Sequence, residues 1–211
     1  SNADDLRAFK KILQKESMKG KTVVQTEDIA LSKYTYRYVD SSLYDHRIGI
    51  YDGDTLQCTV DAEGKVHQPL NSDRITSWKA CGVTDDFVWT NVDLKTFQGV
   101  YQGNHHVISG ALFCENSAGL FSSLEGAVVN LRMEHCASIA NIMFQAIVVG
   151  ESSGTVSNCS VSDSVVVSAN TNAYTGAIAG FANLNSVISY NTSENNRIMS
   201  DGQAAGGIVG Q

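Results

Sequence analysis

Few side chains in this 211-residue chain stand close enough in sequence to suggest chemistry. His105 and His106 form its one adjacent histidine pair, while His46, His67 and His135 stand apart. Neighbouring residues on a strand point to opposite faces, so the pair can share a metal only where the chain turns; a turn or packing role is the expectation. Asp85-Asp86 is the one paired carboxylate besides Asp4-Asp5. Paired acids are what glycoside cleavage uses, but a solvated turn is the simpler assignment. The cysteines, Cys58, Cys81, Cys114, Cys136 and Cys159, are all widely separated, which removes C-x-x-C redox and zinc patterns. They read as small buried apolar residues, with a Cys58 to Cys81 disulfide left open as the alternative. No GxSxG, HExxH, phosphate-loop or dinucleotide fingerprint occurs. The sequence therefore assigns no catalytic residue, no metal and no cofactor, and its ligand-binding residues stay unidentified.

Composition narrows the partners. Hydrophobic residues make up 43% and charged residues 18%, too apolar for disorder, and no uncharged apolar run approaches a membrane span. Charge is uneven: after Lys95 the only cations are Arg132 and Arg197, against seven acids. A nucleic-acid surface needs a basic stripe, and an anionic membrane needs a polybasic segment. Neither nucleic-acid binding nor membrane insertion is expected. Tyr34, Tyr36, Tyr38, Tyr44, Tyr51, Trp78 and Trp89 gather in one stretch, where an exposed aromatic strip would stack on sugars or on a protein partner.

The elements that would hold any site repeat. Ala146-Ile147-Val148-Val149-Gly150, Gly176-Ala177-Ile178-Ala179-Gly180 and Gly206-Gly207-Ile208-Val209-Gly210 share one form and recur at an even spacing, with a relative at Gly119-Leu120-Phe121. Between anchors lie short runs rich in Val, Ile, Ser and Asn, at 128 to 133, 155 to 161 and 187 to 190, then 163 to 168 and 196 to 199. Such composition favours strands over helices. Three short strands in each such period describe a coil of a parallel β-helix, with glycines turning its corners. Expected inward positions are Leu120, Ile147, Ile178 and Ile208 on one face and Val129, Leu131, Val156, Val161, Ile188 and Ile198 on the others.

Ser1-Asn2-Ala3 reads as the remnant of a cleaved tag, so the chain's beginning says nothing of compartment. Leu6, Phe9, Ile12 and Leu13 stand at helical spacing over 4 to 15, with Asp4 or Asp5 as N-cap. An amphipathic helix just before a first strand at 21 to 25 is placed to cap the open end of a solenoid. The last anchor, 206 to 210, begins a coil and stops, which predicts a natural chain that continues and end-to-end self-association through the open coil.

These blocks resemble the GLUG-motif repeat proteins of bacterial surfaces, whose repeats also occur in large secreted IgA-specific metallopeptidases. The resemblance rests on Asp5-Leu6 before Thr26-Glu27-Asp28-Ile29-Ala30-Leu31, on Phe97-Gln98-Gly99-Val100-Tyr101-Gln102-Gly103-Asn104-His105-His106-Val107-Ile108-Ser109-Gly110, and on Gly119-Leu120-Phe121, Asn130-Leu131 and Gly206-Gly207-Ile208-Val209-Gly210. It covers about 4 to 31 and 89 to 211. Residues 32 to 88 depart from it and read as an insertion, a protruding hairpin-like excursion with strands near 47 to 50, 56 to 60 and 65 to 67 and turns at Asp52-Gly53 and Glu63-Gly64. The resemblance implies a right-handed parallel β-helix, an extracellular or cell-surface location, and no catalytic activity for the repeats. The expectation is a single all-β domain over 4 to 211, with repeat coils from about 97. It would serve as a spacer or adhesin-like module that binds host protein or glycan. The alternative is a polysaccharide-processing enzyme or an accessory segment of a secreted protease. Three or more convergent acidic and basic side chains on one solenoid face would favour the enzyme.

Overall fold

The computed structural model describes residues 2–39, 46–69, 71–91 and 93–211; Tyr44 lies outside them. The body is a parallel β-solenoid. A first ladder stacks Thr22–Val24, Val100–Gln102, Ala127–Val129, Thr155–Ser157 and Val187–Ser189. A second stacks Ile29–Ala30, Val107–Ser109, Arg132–Glu134, Ser160–Ser162 and Thr192–Glu194. A third stacks Val88–Trp89, Leu112–Phe113, Ala137–Ala140, Val165–Ser168 and Arg197–Ser200. Two three-stranded ladders close the coils, one through Phe121–Leu124, Val149–Ser152 and Ala179–Ala182, the other through Phe144–Gln145, Tyr174–Gly176 and Ala204–Gly206.

A full coil thus carries five very short strands, not three longer ones. The run at 128 to 133 is cut at Asn130, and the run at 155 to 161 at Asn158, both with φ near +55°. Left-handed corners are held mostly by residues with short polar side chains, Asn104, Asn130, Asn158, Asp163 and Asn195 among them, and by His105, His135 and Tyr190. Asn and Asp tolerate this region because their side chains bond locally. Gly110 and Gly119 are left-handed as well, at φ +73° and +111°, while other glycines have a second task. A Cβ on Gly126 would strike the carbonyl of Gly99 in the coil below, and one on Gly154 the carbonyl of Gly126, so these positions let successive backbones touch.

Register also corrects one inward assignment. Val128, level with Tyr101 and Val156, points into the solenoid, while Val129 is only half-buried. Ile147 is fully buried in the solenoid core with Leu120 and Ile178, as expected, and so is Val148 beside it. Ile188, Ile198 and Ile208 of the last coil are partly buried against the core.

The helix, Ala3–Leu13, closes one end. Its N-cap is Asn2, whose side-chain oxygen accepts the Asp5 N–H at 2.9 Å; Asp4 and Asp5 fall in the first turn instead, where their charge suits the dipole. Leu6, Phe9 and Leu13 are buried and Ile12 faces out. Phe9 lies edge-on to Phe97 and Phe121 and beside Tyr101, so the cap plugs the aromatic first coil. This helix is too short and polar to cross a membrane, and no other described helix is long enough.

The insertion does not protrude. Thr35–Val39, Arg47–Asp52, Thr55–Val60, Val66–Gln68 and Asn71–Thr76 form an antiparallel meander of five strands, and the turns fall at Gly53 and Gly64 as expected. One face of it, Tyr36, Ile48, Ile50, Cys58, Val60 and Val66, packs on the outer side of the third ladder at Leu112, Ala137, Ile139, Val165 and Val167. The strands Leu112–Phe113, Ala137–Ala140 and Val165–Ser168 are consequently buried on both sides, with Phe113 and Val166 turned to the solenoid core, while Arg197–Ser200 of the last coil is only partly covered.

Candidate functional site

Outside the core, the second ladder is the face that stays open and carries charge. Its strands alternate, with Ile108, Met133 and Val161 inward and their neighbours outward. Parallel register then lines the outward residues in two rows: Val107, Arg132, Ser160 and Thr192, beside Ser109, Glu134, Ser162 and Glu194. Adjacent strands are about 4.8 Å apart, so the Cα atoms of Glu134 and Glu194, two strands apart, lie roughly 10 Å from each other. From Arg132 and Glu134 onward these rows, together with His105, Asn158 and Tyr190 at the corner, line a groove of about 300 Å³.

The corner wall is built by an asparagine ladder. Asn158 Nδ2 donates to Asn130 Oδ1 at 2.6 Å, and Asn130 Nδ2 to Gln102 Oε1 at 3.2 Å. The next corner is Tyr190, left-handed at φ +56° and 86% exposed. A bulky residue in that region is strained, and its ring is not used to fill the core. Behind the groove, Asn191 Oδ1 accepts the Cys159 N–H and Asn196 Oδ1 accepts the Ser164 N–H, fastening the last coil to the one below.

At the groove's beginning, Asp28 Oδ1 accepts the Val107 N–H at 2.9 Å and lies 3.2 Å from His106 Nδ1. The backbone donor first, then His106 and the Arg132 charge, hold Asp28 below the ordinary carboxylate range. The expected turn at the histidine pair is present: His105 sits in a left-handed turn facing the groove and His106 turns to Asp28. His46 meets Asp201 at 2.7 Å, and His67 meets Asp61 at 2.7 Å inside the insertion. No group of three or more metal-binding side chains converges among the described residues.

The other sequence candidates go elsewhere. Asp85 and Asp86 are exposed in a turn, where the Asp86 carbonyl accepts from Arg7. They border two clefts, one of about 420 Å³ with Arg7, Lys10 and Lys11, and one of about 640 Å³ beside Trp78. In the first, burial lowers the Lys10 amine, which lies 5.0 Å from the Trp89 ring centre and donates to Thr90. Ordinary packing takes up the described aromatics of this stretch: Tyr36 and Trp89 are buried, Tyr34 and Trp78 pack on Phe87, and Tyr38 and Tyr51 are half-buried beneath Arg197 and Arg37.

Arg132, Glu134, Tyr190 and Glu194 were not singled out by residue type. Their signal was register: Arg132-Met133-Glu134 and Ser160-Val161-Ser162 show the same polar-apolar-polar alternation one coil apart. No family model, no curated protein and no solved structure matches this chain.

Proposed function

We propose that the chain is a non-catalytic solenoid module, extracellular or on a cell surface, that binds a glycan along the groove of the second ladder. The observation that carries this reading is Tyr190, an exposed ring at a strained corner above a row of Arg132, Ser160 and Thr192. Sugar recognition needs an apolar face for stacking beside hydroxyl, carboxylate and guanidinium partners, and this groove offers that set on a rigid scaffold. The resemblance to the GLUG-motif proteins supports the surface location. The groove's openness to water weighs against catalysis, since a carboxylic acid raised to act near neutral pH needs an apolar surround.

A glycan array with the intact protein, followed by titration, tests the reading. Binding should weaken at least about tenfold, or roughly 1.4 kcal/mol, in both Tyr190→Ala and Arg132→Ala; a wild-type protein that binds no glycan would leave only the spacer role. One observation favours a second reading: Glu134 and Glu194 stand level across the groove with Ser162 between them and Arg132 beside them, three charged side chains on one solenoid face as the enzyme alternative requires, and a disposition of acids that glycoside hydrolysis also uses. Reducing-end release from an array-positive glycan, abolished by Glu134→Gln, would replace the binding reading with that one.

A further inference from the structure

The groove of the second ladder distributes its charge unevenly. Register sets Glu134, Ser162 and Glu194 in one row and Arg132, Ser160 and Thr192 in the other. The two acids therefore stand on alternate strands, roughly 10 Å apart, with a hydroxyl between them. Among the described residues, Glu134, Glu194 and Arg132 have no ion-pair partner, and all three line the groove. Asp163, exposed at the left-handed corner just past Ser162, adds an acid beside the glutamate row, while His105 and Tyr190 stand at the corner on the Arg132 side.

We propose that the ligand of this groove is a β-1,4-linked amino-sugar chain lying along the solenoid axis, with ammonium groups on Glu134 and Glu194. The inference rests on the glycan reading above and names the class of sugar. A pyranose unit is about as long as one strand-to-strand step, so one sugar lies over each strand. Successive rings of a β-1,4-linked chain alternate by a half-turn, so the C2 amines of the first and third sugars face one edge and that of the second faces the other. Sugars over the Arg132 and Thr192 strands then turn their amines to Glu134 and Glu194 and their C6 hydroxyls to Arg132 and Thr192. The middle sugar turns its amine to Ser160 and its C6 hydroxyl to Ser162. In this register every carboxylate meets an ammonium and no ammonium is level with Arg132, while Tyr190 offers a ring at the last strand. A uronate chain, in either phase, sets a carboxylate against or between the two glutamates.

The experiment titrates the intact protein in a calorimeter at about pH 6, where carboxylates are ionised and amines charged, with three β-1,4-linked hexamers, of glucosamine, glucose and mannuronic acid. The glucosamine hexamer should bind at least about tenfold more tightly than the glucose hexamer, because an ammonium makes a charge-assisted bond that a hydroxyl does not. The mannuronate hexamer should not bind. Glu134→Gln and Glu194→Gln keep the shape and remove the charge; each should lower glucosamine-hexamer affinity about tenfold, and together they should erase its advantage over glucose. A chain of net charge −7 attracts any polycation, so the Asp85→Asn, Asp86→Asn double variant, changed outside the groove, is the reference and should keep full affinity. An equal loss in that variant, or a glucosamine preference that survives with both Glu134→Gln and Glu194→Gln in place, would overturn the proposal. A glucose or mannuronate hexamer that binds as tightly, with binding lost in Tyr190→Ala, would overturn the amino-sugar assignment and leave the groove a glycan site. Absence of binding by all three would overturn it as well, and the glycan array would then decide the wider reading alone.

Discussion

The second and third ladders are made by the same coils, a few residues apart, and end in opposite environments. Along the second, outward positions read Arg132 and Glu134, Ser160 and Ser162, Thr192 and Glu194. Along the third they read Ala137 and Ile139, Val165 and Val167. Strands that alternate have one wet face; strands that stay apolar at every position need cover on both. The insertion is that cover. Its Ile48, Ile50 and Val60 meet the third ladder, while Arg197 stacks on Tyr38 and His46 meets Asp201 to tie the meander as far as the last coil. The difference teaches that an interruption of the repeat can be part of its core, and that the face left uncovered is where a ligand has room.

The sharpest way to break this comparison is to make one chemical change on each ladder. Val167→Asp places a carboxylate in the apolar cluster between the meander and Ile139. An unpaired buried charge belongs to the short class of changes that exceed about 4 kcal/mol. Ser160→Asp puts the same group on the half-exposed outward row beside Arg132, where the expected change is within about 0.5 kcal/mol. Urea unfolding followed by circular dichroism reads both. Equal effects would mean that the meander does not cover the third ladder.

Much of this architecture was legible in the sequence. The even spacing of Ala146, Gly176 and Gly206 marks the coil, and Leu6, Phe9 and Leu13 mark the cap. The strand count per coil was not legible, since Val128 to Met133 reads as one run and nothing in residue type says that Asn130 turns left-handed within it. Nor was the docking of the insertion. The continuous Val165-Val166-Val167 beside the alternating Ser160-Val161-Ser162 held the clue, but partner surfaces are fixed by packing over long sequence distance. The groove was hidden for a related reason: its residues are ordinary one by one and become a site only when register lines them up.

A smaller effect sharpens the role of the groove's rim. Tyr190→Gly removes a left-handed non-glycine corner, a penalty of about 1 to 2 kcal/mol, and gives back about 0.4 to 1 kcal/mol through the freer unfolded chain. With the ring 86% exposed, little packing is lost. Stability should therefore rise by up to about 1.6 kcal/mol in urea unfolding while glycan binding weakens. A stability loss above about 1 kcal/mol would show that the ring serves packing and not recognition.

The smallest expected effect concerns Asp28, which anchors the open ladder where Asp61 and His67 anchor the covered side from within. Its folded pKa is depressed, so its contribution is fully present above the unfolded value near 3.9 and is lost as pH falls through the lower folded value. Asp28→Asn should therefore differ most from the wild type at about pH 5 to 7 and converge with it in stronger acid, as read by unfolding midpoints across that range. Salt separates the causes. The leading ones are the Val107 N–H and the His106 hydrogen bond, short-range contacts that persist at high ionic strength, whereas the Coulombic contributions of His106 and Arg132 are screened. A difference that survives high salt would place the anchor in these hydrogen bonds, and one that vanishes would place it in the charges.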